Sequence, residues 1–155
     1  MEPEFLNTEY DTLGNKIQIF RIREIGMSPI YTFFLRQMAN LIDSGFASAM
    51  TVWDDTRCGA VYAMSDNTIL GHIVYDTANP TAPGALWITL SAVDELHRGR
   101  GIYTILHKYF EQTAKEKGYT YVSSYVHVKN LVRKKSAEKV GMNPMFHLMV
   151  KKLDQ

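Results

Sequence analysis

Cysteine is nearly absent: Cys58 stands alone in 155 residues. No intramolecular disulfide can form and no cysteine-rich zinc site is available, so a reducing, cytoplasmic setting fits best. Long apolar runs are missing too. No uncharged stretch approaches the ~20 residues a membrane span requires, so no membrane partner is expected. The opening Met1-Glu2-Pro3-Glu4 is acidic and has no apolar segment behind it, unlike a secretory leader. Neither sign of charge dominates: 17 basic against 16 acidic residues leave a net charge of +1. Without a basic face, broad binding to nucleic acid is not expected. His72, His97, His107, His127 and His147 form no HExxH or HxH pattern, so no metal is expected.

What remains is ordinary for a globular chain, 46% hydrophobic and 21% charged. Repeats, low-complexity tracts and linkers are absent, which points to a single domain over residues 1–155. Residues 1–15 are either a loose N-terminal arm or the first strand of a hairpin, ending in the turn signal Leu13-Gly14-Asn15. The β-branched and aromatic content of residues 17–22 predicts a strand. Ser28-Pro29 then reads as an N-cap with proline at the first helical position, and Ile30, Phe33, Phe34, Met38, Leu41 and Ile42 recur at helical spacing before Gly45.

Residues 46–57 are ambiguous. Residues 60–64 and 69–75 flank the turn Ser65-Asp66-Asn67 and predict a hairpin. Breakers at 79–84 lead to a strand at 85–93. Ile102, Ile105, Leu106, Tyr109 and Phe110 make the apolar stripe of a helix that Gly118 ends. Residues 119–128 alternate as a strand does, with Tyr121, Tyr125 and His127 on one side. A short helix at 130–139 and a last strand at 144–153 complete a mixed α/β order, β-α-β-β-β-α-β-α-β.

The chemistry concentrates in His97-Arg98-Gly99-Arg100-Gly101-Ile102-Tyr103-Thr104, placed between a strand and an amphipathic helix. The first N–H groups of a helix lack internal acceptors, and the helix dipole adds partial positive charge there. Glycine at 99 and 101 permits a tight turn and close backbone approach. Arg98 and Arg100 supply charge-assisted donors, and the Thr104 hydroxyl lies beside them. Together they select a phosphorylated ligand. A plain turn with solvated arginines is the alternative for this segment alone. A dinucleotide-binding domain fits less well, because the third glycine of GxGxxG is missing and the sheet opens with an antiparallel hairpin.

Two patterns together resemble the GNAT superfamily of acyl-CoA-dependent N-acyltransferases. Val93 is followed by Asp94 to His97 and then by Arg98-Gly99-Arg100-Gly101-Ile102-Tyr103, as in that family's Arg/Gln-x-x-Gly-x-Gly/Ala at a helix start. Asn130 and Gly141-Met142 repeat a second pattern, an asparagine after the next strand and a Gly-Phe that closes the following helix. The resemblance covers residues 60–142 and implies a mostly antiparallel central sheet flanked by helices. It implies acetyl-CoA as cosubstrate, held by Ser91, Ala92, Val93, Arg98, Gly99, Arg100, Gly101, Ile102, Tyr103, Thr104 and Asn130. The strand ending at Val93 would splay from the strand near residues 125–128, and the pantetheine arm would lie in the gap. The implied reaction is direct acetyl transfer to a small-molecule or peptide amine within a ternary complex.

Departures from the pattern bear on the chemistry. Ala137 stands where many members carry a tyrosine that protonates the leaving thiolate, and residues 87–91 offer no carboxylate as base. A thiol with a pKa near ~8.5 still leaves readily, and one general acid contributes ~10²–10⁴-fold. His127 and Tyr125 are the candidate base and acid; packing of a strand histidine and a strand tyrosine is the plainer alternative. Ser136 is a weaker candidate. Asp94 and Glu95 are candidates for binding a cationic acceptor. Tyr103 is bulkier than the small residue expected at its position. Arg133-Lys134-Lys135 reads as a solvated helix face, His97 and His107 as exposed, and Met142, Met145 and Met149 as core. A non-catalytic acyl-CoA-binding module is the rival function. Loops at 24–30, 46–57 and 77–84 would select the acceptor, and a Leu/Phe/Met-rich sheet edge is a candidate homodimer surface.

Overall fold

A computed structural model describes residues 2–46, 53–78 and 84–153. The elements follow the order β1 (Glu4–Tyr10), β2 (Lys16–Ile22), α1 (Tyr31–Asp43), β3 (Cys58–Ser65), β4 (Thr68–Asp76), β5 (Ala85–Val93), α2 (Ile102–Glu116), β6 (Tyr121–Ser124) and α3 (Leu131–Lys139). The strands form one sheet in chain order. Pairing is antiparallel from β1 through β5 and parallel between β5 and β6. This is the expected mixed α/β class, with α1 on one broad face and α2 on the other.

Alternation decides which side chains face which helix. Ile17, Ile19, Val61, Ile73, Leu86 and Ile88 point to the face covered by Ile102, Leu106, Tyr109, Phe110 and Ala114 of α2. Ile22, Ala60, Tyr62, Val74 and Leu90 point to the face covered by Phe34 and Met38 of α1. Gly59 lacks a side chain because the Tyr75 ring of the neighbouring strand lies over it; an added Cβ would fall 2.6 Å from that hydroxyl.

Several local expectations change. Residues 1–15 are no loose arm: they supply β1, paired to β2. Helix α1 starts at Tyr31, because the Ser28 hydroxyl donates to the Ile25 carbonyl at 2.7 Å and gives the helix no side-chain cap. Ile42 is 48% exposed, at the open end of that helix. Strand β6 spans only four residues, so Tyr125 to Val128 lie beyond it. Residues 144–153 form no strand, and Met145, Phe146, Leu148, Met149 and Val150 are exposed. Apolar residues on both parities suit a strand covered on both faces, and no such cover exists among the described residues. Met145 and Met149 are therefore not core, whereas Met142 packs against the α2 cluster. The breakers at 79–83 and the ambiguous segment 47–52 lie outside the described residues. No helix among the described residues is long and apolar enough to cross a membrane.

His72 is the exception in the core. Its ring is fully buried, edge-on to Phe33 at 4.9 Å, and neither nitrogen has a partner. Burial pushes its pKa down to about 4. The unfolded chain, with histidine near ~6.5, therefore binds the proton more readily, and stability falls as pH drops from 6.5 towards 4, by up to roughly 3 kcal/mol. His72→Leu removes the unpaired polar group. Its melting temperature should fall less than that of the wild type between pH 7 and pH 5; parallel curves would refute this assignment.

Candidate functional site

The site begins with one surplus residue. Val74 of β4 pairs with Leu90 and Tyr75 with Ile88, so Thr89 is extra on β5. Such a bulge bends its strand and increases local twist. On the other edge, β5 pairs with β6 only from Ala85↔Tyr121 to Ile88↔Ser124. Among the described residues the ladder stops there, as a splay requires, and the edge of Ser91-Ala92-Val93 has no partner on β6.

The strand end is fixed by local polar contacts. Asp94 N–H donates to the Leu70 carbonyl at 2.8 Å. The Asp94 side chain accepts from Leu96 N–H at 3.0 Å and also meets His97 Nδ1 at 3.4 Å and Arg36 at 3.7 Å. Asp94 therefore serves as a turn cap with a cationic neighbour, not as a free carboxylate. Arg98 Nε donates to the Val93 carbonyl at 3.2 Å, folding the guanidinium back along the strand end.

Gly99 and Gly101 both take φ of +74°. Side chains rarely adopt this left-handed region. Nothing lies within 4 Å of a Cβ built on Gly99, so its exposed backbone is open to a ligand. Helix α2 has no side-chain cap at Gly101, so the N–H groups of Ile102, Tyr103 and Thr104 keep no intrahelical acceptor. The Arg100 carbonyl accepts from Thr12 N–H at 3.1 Å, which brings the β1–β2 turn onto this loop.

A second helix closes the loop from the other side. Asn130 Oδ1 accepts from Arg133 N–H at 3.1 Å and so caps α3. Arg133 is not a solvated residue: its Nη1 donates to the Tyr103 hydroxyl at 2.9 Å, and its guanidinium carbon lies 5.2 Å from that ring. Tyr103 thus spends its bulk on joining the first turns of α2 and α3. Burial is the main cause that holds its phenol above the ordinary range. His107, expected to be exposed, is 2% exposed, with Nδ1 3.1 Å from Glu111. Burial, chiefly, pushes its pKa down. Helical spacing carried that signal, since Tyr103, His107, Phe110 and Ala114 form a stripe of their own.

Tyr125 and His127 lie past the end of β6, beside the splay, and are exposed. The Tyr125 ring packs edge-on against Trp87 at 4.4 Å. The His127 ring lies 5.6 Å from Phe46, and Nδ1 accepts from Lys129 N–H at 3.1 Å. In the neutral ring this leaves the proton on Nε2, a donor in this arrangement. Ser136 donates to the Arg133 carbonyl at 2.9 Å and Ala137 is buried, so α3 presents no hydroxyl in place of the missing tyrosine. No cluster of three potential metal ligands occurs among the described residues.

A strand that splits from its parallel neighbour and then runs through a glycine-arginine turn into an uncapped helix is a distinctive arrangement. The family model for the acetyltransferase (GNAT) family matches residues 27–142. The chain belongs to this family. Among solved structures, this GNAT fold is similar to an aminoglycoside acetyltransferase from an uncultured soil metagenomic sample, with a TM-score of 0.67 and 15% identity over 90% of this chain and 96% of that one. It is also similar to a ribosomal-protein-alanine N-acetyltransferase from Brucella melitensis biovar Abortus 2308, with a TM-score of 0.65 and 16% identity over 88% of this chain and 99% of that one. A third, an aminoglycoside N-acetyltransferase in complex with CoA, gives a TM-score of 0.61 and 15% identity over 88% of this chain and 99% of that one. No curated protein matches.

In this GNAT chain the glycine turn is crowded on one side only. A Cβ on Gly101 would lie 3.2 Å from Thr12 Cγ2 and in a left-handed backbone. Gly101→Ala should destabilise the fold by about 1–2 kcal/mol, read as a lower urea midpoint with an unchanged slope. An unchanged midpoint would contradict the strain.

Proposed function

We propose that this protein transfers an acetyl group from acetyl-CoA to an amine by direct attack within a ternary complex. The observation that carries this reading is the uncapped start of α2, with its open N–H groups and the left-handed Gly99 and Gly101, set at the end of a strand that has parted from β6. A diphosphate fits these donors: its oxygens need several converging N–H groups and a backbone with no Cβ in the way. Gly99, Gly101, Ile102, Tyr103 and Thr104 would offer backbone donors, and the free Nη groups of Arg98 add charge. Ser91, Ala92 and Val93 would offer strand-edge backbone to the pantetheine amides, and Asn130 closes the far side. Acetyl-CoA supplies the acyl group in activated form, as a thioester.

The residues at the splay then govern proton movement. The amine must lose a proton before its nitrogen bonds to the acyl carbon. As the carbon–sulfur bond breaks, the sulfur leaves as a thiolate and takes up a proton. Tyr125, exposed just past the end of β6, is the candidate donor. His127 donates from Nε2 while Nδ1 holds Lys129 N–H, so its use as a base requires release of that contact. A backbone N–H of the β5 edge polarises the acyl carbonyl.

The acceptor reading is a small-molecule amine, supported by the aminoglycoside acetyltransferases of like fold. Trp53, Asp54, Asp55, Thr56 and Arg57 line an open cavity of about 530 Å³. Asp54 and Asp55 are the acceptors it offers to an ammonium, beside Arg57, which lies 3.6 Å from Asp54 and pairs with Asp76 at 2.7 Å. A cytoplasmic location agrees with the single buried cysteine. The exposed apolar residues at 145–150 are the surface a homodimer would use. The second reading, acyl-CoA binding without turnover, draws on buried Ala137 and the carboxylate-free β5.

Calorimetry with CoA and thiol release over a panel of amines test both readings. Arg98→Ala should raise KM for acetyl-CoA about tenfold, the loss of one charge-assisted contact. Tyr125→Phe should lower kcat by ~10²-fold if its hydroxyl is the acid. Unchanged kcat removes Tyr125 from the chemistry. Tight CoA binding with no turnover on any amine favours the binding module.

A further inference from the structure

The tip of the β1–β2 hairpin lies against the phosphate loop, about ninety positions away along the chain. Thr12 N–H donates to the Arg100 carbonyl at 3.1 Å, and Thr12 Cγ2 bounds the space at Gly101. The tip is itself rigid. Asp11, 7% exposed, accepts from Leu13 N–H and Asn15 N–H, both at 2.9 Å, and from the Asn15 amide at 3.0 Å. Asp11 N–H donates in turn to the Asn15 carbonyl at 3.0 Å. The rest of the hairpin is pinned along α2. Asn7 donates to the Tyr109 hydroxyl at 2.9 Å, and Glu9 accepts from Tyr109 and Lys108, both at 2.6 Å. Arg21 pairs with Glu116 near the other end of the helix.

Peptide planarity gives the Thr12 contact its meaning. In a trans peptide the carbonyl oxygen and the N–H point in opposite directions. With the Arg100 carbonyl turned towards the hairpin, Gly101 N–H must point away from it, and it is the donor immediately before the uncapped amides of α2. A flip of this one peptide would present a carbonyl oxygen to an anion. Glycine at 101 lowers the barrier to such a flip, because both signs of φ are open to it.

We propose that Asp11 and Thr12 form a positioning element that holds the Arg100–Gly101 peptide with its N–H towards the diphosphate of the acyl donor. The role rests on the reading of this loop as a phosphate site and adds to it a second, distant segment of the chain. Its effect is confined to the phosphorylated part of the ligand.

Replacing Thr12 by its α-hydroxy acid deletes that N–H, at the cost of a weaker Asp11 carbonyl acceptor for Gly14 N–H, and Thr12→Pro deletes it by ordinary mutagenesis. Either should weaken CoA binding by about tenfold in calorimetry, the cost of one misdirected donor at a charged ligand. Turnover of S-acetylpantetheine, which has no diphosphate, should keep its kcat/KM within twofold. Leu13→Ala, on the exposed side of the same turn, should bind CoA as the wild type does. Unchanged CoA affinity in the folded hydroxy-acid variant overturns the proposal. So does an equal loss with CoA and with S-acetylpantetheine, which would mark general loosening. If the wild type binds no CoA, the functional reading falls first and the positioning role with it.

Discussion

The register between β4 and β5 is the constraint on which the site depends. One surplus residue, Thr89, separates the paired part of β5 from the part that faces the gap. Past the bulge, β5 is held almost wholly from the β4 side. A Cβ on Gly71 would sit 2.8 Å from the Ala92 carbonyl, so only glycine lets the two backbones come this close. Asp94 N–H continues the attachment to Leu70. Because β4 secures almost all of this segment, its other edge can stay unpaired without fraying. An open edge inside a packed domain needs such one-sided support, since unsatisfied backbone groups are otherwise costly.

The uncapped helix start poses the same problem in another form. Open N–H groups suit an anion and destabilise the empty loop. The loop is therefore held by contacts that avoid those donors. Arg98 binds the Val93 carbonyl, Thr12 binds the Arg100 carbonyl, and Arg133 binds the Tyr103 hydroxyl. Each secures an acceptor or a side chain and leaves the amides free. The left-handed glycines make the turn; these three contacts make it reproducible.

Chemistry local to the chain was legible in the sequence, and chemistry assembled across it was not. Strand, glycine turn and helix around residues 86–117 follow from propensity and spacing alone, and the helix-terminus argument needs no tertiary knowledge. The Asn130 cap is local too, yet the sequence reads that residue only as part of a ligand-binding pattern. The pairing of Tyr103 with Arg133 joins residues thirty positions apart, so Tyr103 reads in sequence only as an oversized motif residue. His107 reads as exposed when only Ile102, Ile105, Leu106, Tyr109 and Phe110 of α2 are followed; Tyr103 and Ala114, at helical spacing on its other flank, widen the buried face to include it. The final strand at 144–153 was drawn from apolar content, but content without a covered partner does not make a strand. The Asp11 turn could be recognised as a turn, while its seat on the loop is purely tertiary.

The length of chain between the hairpin and α2 also shapes how the molecule is built. Asn7 and Tyr109 are 102 residues apart, and the contacts from Glu9 and Arg21 span similar distances. Contacts of such separation close large loops, which is entropically expensive and slows folding. On the ribosome, β1 emerges before α2 and has no partner there until β2 to β5 have been made. The sheet between them must order first, as the platform on which hairpin and helix meet.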